Sequence, residues 1–169
     1  GAWSGSQSVS DLINGVSIDV VVDYAVFGPG QYPGSASVNQ TEYVYAYQVH
    51  NQNSDFVVDY LSVGLYPGHQ AHDADQDNTI GEASGWFTLF NSVLEENALF
   101  IFRDGIDPGD TSVSVIFQSP NAPTWGLGSI PTNADAGAVN FELPTPIPEP
   151  LTVLLMTAGG FFAYRKNRK

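Results

Sequence analysis

Apolar and polar residues alternate with a period of two along most of the chain. From Ser17 to Phe27 one face reads Ile18, Val20, Val22, Tyr24 and Val26 while Asp19 and Asp23 lie on the other, the pattern of a strand half buried and half wet. Glu42 to His50 sets Tyr43, Tyr45, Tyr47 and Val49 against Val44, Ala46, Gln48 and His50, and Phe56 to Tyr66 forms a third strand in which Gly64 marks a bulge. Trp86 to Phe90, Ala98 to Arg103, Thr111 to Gln118 and Ala138 to Leu143 supply four more. Ser8 to Asn14 reads as a short strand or turn, and Ser92 to Asn97 as a single helical turn. No segment before residue 148 sustains a helical period. With turns at Gly28-Pro29-Gly30, Asn51-Gln52-Asn53 and Asp107-Pro108-Gly109, the pattern predicts an all-β, antiparallel β-sandwich, immunoglobulin-like or jelly-roll-like. The immunoglobulin cysteine pair is missing, so that likeness is one of architecture.

The alternation stops near the C-terminus. Pro144-Thr145-Pro146-Ile147-Pro148 forbids helix and favours a stiff, extended spacer. Pro148-Glu149-Pro150 then leads into an apolar run from Leu151 to Tyr164, closed by Arg165-Lys166-Asn167-Arg168-Lys169. As a helix the run would rise about 21 Å against a hydrocarbon core of about 30 Å. It is a short span, weakened by Thr152, Thr157 and Gly159-Gly160, and fits a transient anchor or sorting signal better than a permanent membrane helix. A buried helix of a globular domain would show a polar face, and this run has none before its basic end. Four of the five basic residues sit in the last five positions, so the positive-inside rule holds that end in the cytoplasm and exports what precedes it. The division predicted is an exported β-sandwich over 1–143, a proline-rich spacer over 144–147 and a sorting segment over 148–169 with a single hydrophobic helix.

These three parts, in this order at the chain end, resemble the PEP-CTERM sorting signal, carried here by Pro148, Glu149 and Pro150 with Arg165, Lys166, Arg168 and Lys169. The resemblance implies an exosortase substrate. Such a protein is held briefly in the inner membrane of a Gram-negative bacterium by its tail, then processed to a cell-surface or extracellular form in organisms that make extracellular polysaccharide. A tyrosine-rich strand ending in Val49-His50-Asn51, then Gly85-Trp86, then Ile106-Asp107-Pro108-Gly109-Asp110-Thr111 leading into Val115 to Ser119 is similar to ectodomains that accompany this signal. The opening Gly1-Ala2-Trp3-Ser4 is what removal of a secretory signal peptide would leave.

Composition narrows the partners. With no cysteine, an exported domain here has no disulfide brace and must rely on burial, backbone pairing or a bound ion. Before Pro148 seventeen Asp and Glu face one basic residue, Arg103, a balance of −16. That field excludes nucleic acid, whose phosphates need clustered Lys and Arg, and repels acidic polysaccharide unless cations bridge. A 12% aromatic and 43% hydrophobic content argues against disorder.

Candidate chemistry is concentrated in His72-Asp73-Ala74-Asp75-Gln76-Asp77-Asn78-Thr79-Ile80-Gly81-Glu82. Asp73, Asp75 and Asp77 match the first ligand positions of a calcium loop, Thr79 offers a carbonyl, and Asn78 stands where Gly is expected. Ser84 occupies the place of the bidentate Glu, so Glu82 would have to complete the shell; a solvated acidic loop is the alternative. His69 and His72 beside Asp73 read as loop histidines rather than a zinc site, and Asp104, Asp107 and Asp110 as turn chemistry rather than a second cation site. No G-x-S-x-G elbow is present, since Gly81-Glu82-Ala83-Ser84-Gly85 places its Ser one residue late, and no phosphate loop appears. Carboxylates across a cleft are left open by composition alone. The expectation is therefore a non-enzymatic protein: a self-associating structural protein of the surface or matrix, or a calcium-dependent carbohydrate-binding module. For the module, Trp86 and Trp125 would stack on sugar rings, with Trp3 and exposed members of Tyr43, Tyr45 and Tyr47 beside them. For self-association, the low-charge stretch Gly1 to Ser10 and the proline-rich arm would serve as exchangeable strands.

Overall fold

The computed structural model describes residues 3–65, 71–77, 87–91, 97–131 and 137–146. Among them all regular structure is strand: β1 (Trp3–Ile13), β2 (Val16–Phe27), β3 (Tyr43–Asn51), β4 (Val58–Gly64), β5 (His72–Asp77), β6 (Phe87–Asn91), β7 (Asn97–Ile106), β8 (Ser114–Ser119), β9 (Pro123–Pro131) and β10 (Ala138–Pro146). They form two antiparallel sheets packed as a sandwich, ordered β1-β2-β3-β8-β5 and β10-β9-β4-β7-β6. The single hydrophobic helix expected over the sorting segment lies outside the described residues.

The alternation read from the sequence places the core. Ile18, Val20 and Val22 of β2, Tyr45, Tyr47 and Val49 of β3, and Val115 and Phe117 of β8 point inward from the first sheet. They meet Leu61, Val63, Phe100, Phe102, Ile130 and Leu143 of the second. At the centre the Tyr45 ring stacks on Phe117 with centroids 4.9 Å apart and planes 11° apart, and Phe100 lies 6.4 Å from Phe117 across the sheets. Both tyrosines are buried with their hydroxyls spent on carbonyls: Tyr45 donates to Asn121 O at 2.8 Å and Tyr47 to Pro144 O. Neither is therefore among the exposed tyrosines that a sugar platform would use, because a ring enclosed on both faces offers none to a ligand.

The outer face of the first sheet is covered as well. The connection between β2 and β3 folds back so that Phe27, Tyr32, Ala36 and Val38 pack on Val44, Ala46 and Ile116. That explains why β3 is buried on both faces despite its simple alternation. One end of the sandwich is closed by Asn51, fully buried, whose Nδ2 donates to Phe56 O at 2.9 Å and Ile106 O at 2.8 Å. Across that end Asp107 to Asp110 form the expected turn, with Asp110 N donating to Asp107 O at 2.9 Å.

Several elements differ from the sequence reading. β1 extends back to Trp3 because it pairs with β2 residue for residue over its whole length. β5 and β9 are strands where a loop and no element were expected. The irregular register of β4 falls between Val58 and Tyr60, not at Gly64, which pairs regularly with Asn97. Gly64 serves close packing instead: a Cβ there would meet Leu127 O of β9 at 2.9 Å. β10 runs through Pro144 to Pro146, opposite Trp125 to Pro123, so residues assigned to the spacer belong to an edge strand. Alternate prolines fit such an edge because their missing N–H groups fall where no ladder bond is needed.

Burial pushes the Tyr45 and Tyr47 hydroxyls well above their ordinary value of 10.0. Both stay neutral in the fold, whereas in the unfolded chain they ionise near that value, so their stabilising contribution is complete below it and declines above it. Thermal melts should therefore show a stability plateau through mildly alkaline pH and a fall above about pH 10. Phenolate absorbance from these two residues should appear only together with unfolding. Their titration in the folded protein would contradict the packing.

Candidate functional site

The acidic run singled out in the sequence is an edge strand. β5 pairs with β8, with an irregularity between His72 and Asp75, and Asp73 sits at φ 47°. Asp73 and Asp75 are exposed while Asp77 is 1% exposed. The Asp77 carboxylate accepts from the Tyr32 hydroxyl at 2.6 Å, the Ala36 amide at 2.9 Å and the Ser35 hydroxyl at 3.3 Å. Its two oxygens thus hold the β2–β3 connection over the outer face. Burial, then the hydrogen bond to Asp77, push the Tyr32 hydroxyl well above its ordinary value, fixing it as a donor. Gln118, also buried, accepts the Asn39 amide farther along the same connection.

His72 lies between two carboxylates, with Nε2 2.7 Å from Glu42 and Nδ1 3.0 Å from Asp73. Among the described residues no three His, Asp or Glu side chains are grouped so as to hold a metal ion. Thr79 and Glu82, the remaining expected ligands, lie outside the described residues, as do His69 and Trp86.

Trp125 stands on β9, 43% exposed, and is not isolated. Its ring lies 5.2 Å from that of Trp3 on β1 and meets Tyr24 of β2 edge-on at 5.7 Å. These contacts join the two sheets at one corner. Beside it opens a cavity of about 550 Å³ lined by Trp3, Phe27, Gln31, Tyr43 and Pro123 among others. Aromatic faces with an amide group and backbone carbonyls suit the apolar faces and hydroxyls of a sugar. Sequence reasoning named Trp3, Trp125 and Tyr43 separately but missed Phe27, Gln31 and Pro123, since nothing local in the chain signals that these segments meet.

A second arrangement was also not foreseen. Asp23 accepts from the Ser6 hydroxyl through one oxygen and lies 2.9 Å from His50 Nε2 through the other, and His50 Nδ1 lies 2.9 Å from Thr111 Oγ1. With Nε2 protonated toward the carboxylate, Nδ1 accepts from the Thr111 hydroxyl. The order carboxylate, imidazole, hydroxyl is that of an acyl-transfer triad. Thr111, however, lines a cavity of about 250 Å³ with Asp104, Asp107 and Asp110. Three carboxylates beside the hydroxyl oppose the developing oxyanion that such chemistry must stabilise. The chain Ser6-Asp23-His50-Thr111 acts as a clamp tying β1, β2, β3 and the entry to β8 across one face.

No family model, curated protein or solved structure matches the chain.

Replacing Asp77 by Ala leaves the Tyr32 hydroxyl and Ala36 amide without their acceptor and should cost roughly 2–4 kcal/mol in urea unfolding. The loss is expected in chelator and in millimolar calcium alike, because the carboxylate is spent on protein donors. A wild-type melt that rises with calcium and no longer does so in Asp75→Asn would instead assign a cation to residues 73–82.

Proposed function

We propose that the chain is an exported structural protein of the cell surface or extracellular matrix, delivered by its C-terminal segment and processed by an exosortase-like enzyme. The observation that carries this reading is the order Pro-Glu-Pro, apolar run, basic end, beginning at Pro148, directly after the last described strand ends at Pro146. Every described strand therefore ends before the signal starts, so cleavage anywhere in the signal spares them all. The basic residues leave with the tail, and the released domain carries a balance of −16 where the whole chain carries −13. Within the sandwich class we place the domain with the jelly-roll-like forms. Support comes from the way β3 to β6 alternate between the two sheets.

In the native host the surface-exposed protein should lack Lys169 by C-terminal mass spectrometry, while Pro148→Ala with Pro150→Ala should retain the tail and stay in the membrane fraction. An intact Lys169 on the exposed wild-type form would refute processing.

A second reading, a carbohydrate-binding module with calcium near residues 73–82, draws on the cavity beside Trp3 and Trp125. The polyanionic surface favours neutral over acidic glycans. Trp125→Ala should then lower retention on insoluble neutral glucans about tenfold, the effect of losing 1–2 kcal/mol of stacking. Retention unchanged by this substitution would remove the reading.

A further inference from the structure

Among the described residues each sheet has two edges, and three of the four are blunted. β5 carries Asp73, Asp75 and Asp77. β10 carries Glu142 with Pro144 and Pro146, which have no N–H to offer. β6 has only 5 residues. Charge, proline and shortness are the devices by which sheets avoid pairing with other chains. β1 has none of them: its 11 residues, Trp-Ser-Gly-Ser-Gln-Ser-Val-Ser-Asp-Leu-Ile, hold one charge and no proline, and they pair with β2 without a bulge.

The turn fixes which backbone groups of β1 are open. Asn14 and Gly15 form a two-residue connection with φ of 51° and 85°, and Ile13 pairs with Val16 to close it. In such a hairpin the closing pair is hydrogen-bonded and pairs alternate from there. The odd-numbered residues back to Trp3 therefore bond to β2, and Ser4, Ser6, Ser8, Ser10 and Leu12 turn their N–H and C=O groups outward. The Leu12 amide, at the end of the row, is turned back onto Asp11 Oδ1 at 2.7 Å. The four serines are exposed, while Val9 and Ile13 pack toward the core. The edge presents open backbone groups flanked by small neutral side chains, on a domain that is otherwise heavily acidic.

We infer that β1 is a self-pairing edge, which joins a second copy of this chain by antiparallel β1 to β1 pairing about a two-fold axis at Ser8. That register alone sets every residue of the row from Ser4 to Leu12 opposite another of the row, Leu12 offering its carbonyl to the Ser4 amide while its own amide stays on Asp11. Ser8 faces its own copy, Ser6 faces Ser10 and Ser4 faces Leu12. Asp11 falls opposite Gly5, so the one charge on the strand never meets its equivalent. Like charges elsewhere on the two domains are kept apart because the contact runs along the least charged edge. A two-fold contact of this kind closes on itself and yields a dimer, not a fibre. The inference deepens the structural, self-associating part of the proposed function, yet it concerns a strand remote in sequence from the tail, and its test does not depend on processing.

The chain has no cysteine, so single replacements read the register directly. In the purified full-length chain under mild oxidation, Ser8→Cys should form a disulfide-linked dimer, since hydrogen-bonded partners lie about 5.5 Å apart at Cα, within disulfide range. Ser4→Cys should not, because its copies would sit about 27 Å apart. By sedimentation velocity the wild type should shift from monomer to dimer with concentration. Ser8→Pro, which removes only an outward N–H, should remain monomeric with a melting temperature close to that of the wild type. A wild type monomeric at every concentration, association that survives Ser8→Pro, or equal cross-linking from positions 4 and 8 would each overturn the inference. The last two outcomes mark association through the apolar tail, and C-terminal mass spectrometry reports on processing separately.

Discussion

The aromatic stack between the sheets is the contact on which the rest of the domain depends. With no disulfide and a balance of −16 before Pro148, mutual repulsion of surface carboxylates must be offset by what lies between the sheets. Tyr45, Tyr47 and Phe100 each stack on Phe117 in that space, with Tyr47 and Phe100 tilted 51° to one another. Rings bury more area per residue than aliphatic side chains, and the two phenols also fix their hydroxyls on the carbonyls of Asn121 and Pro144. The second of these bonds reaches β10, so one residue of the first sheet holds the edge strand of the other. The acidic residues are left to the rims and connections.

Asp77 is the exception, and its burial shapes the outer face. A carboxylate removed from water is costly unless its lone pairs are filled, and Tyr32, Ser35 and Ala36 fill them. Its reward is specificity of place: the β2–β3 connection is held where Tyr32, Ala36 and Val38 cover Val44, Ala46 and Ile116. The middle strands of the first sheet are thus enclosed on both sides, and its margins, β1 and β5, are left to solvent.

The parts of this arrangement that were legible in the sequence are those whose environment repeats with the chain. β2, β3, β7 and β8 read correctly because one face of each meets the core and Ile, Val, Tyr and Phe recur at every second position. β5 did not read as a strand, because on an edge alternate carboxylates look like those of an acidic loop; that Asp77 is taken up by donors from residues 32–36 has no local signal. β9, Pro-Thr-Trp-Gly-Leu-Gly-Ser-Ile-Pro, has poor strand propensity and owes its conformation to β10 on one side and β4 on the other. The corner of Trp3, Tyr24 and Trp125 and the clamp through His50 join segments far apart in sequence, and no local pattern encodes such meetings. The order Pro-Glu-Pro, apolar run, basic end at 148–169 is the opposite case, a linear pattern legible at once because the function proposed for it rests on order along the chain.

Charge placement connects these levels. A polyanionic domain at high local concentration on a surface would stay dispersed if its acids were evenly spread, since repulsion acts over about 10 Å at ordinary ionic strength. Here they are uneven. β5 and the Asp104 to Asp110 loop are strongly acidic, whereas β1 bears only Asp11 and the corner beside it presents Trp3 and Trp125. Two acids of β2 flank the middle of β1: Asp23, opposite Ser6, is held by hydrogen bonds with Ser6 and His50, and Asp19 lies opposite Ser10. Neutral surface and open backbone therefore coincide along one margin of the sandwich, while the acidic margin faces the other way across the same sheet. Under the proposed processing, removal of the basic tail would strengthen the repulsive field without touching that neutral margin, and so would sharpen the contrast between this edge and the rest of the described surface.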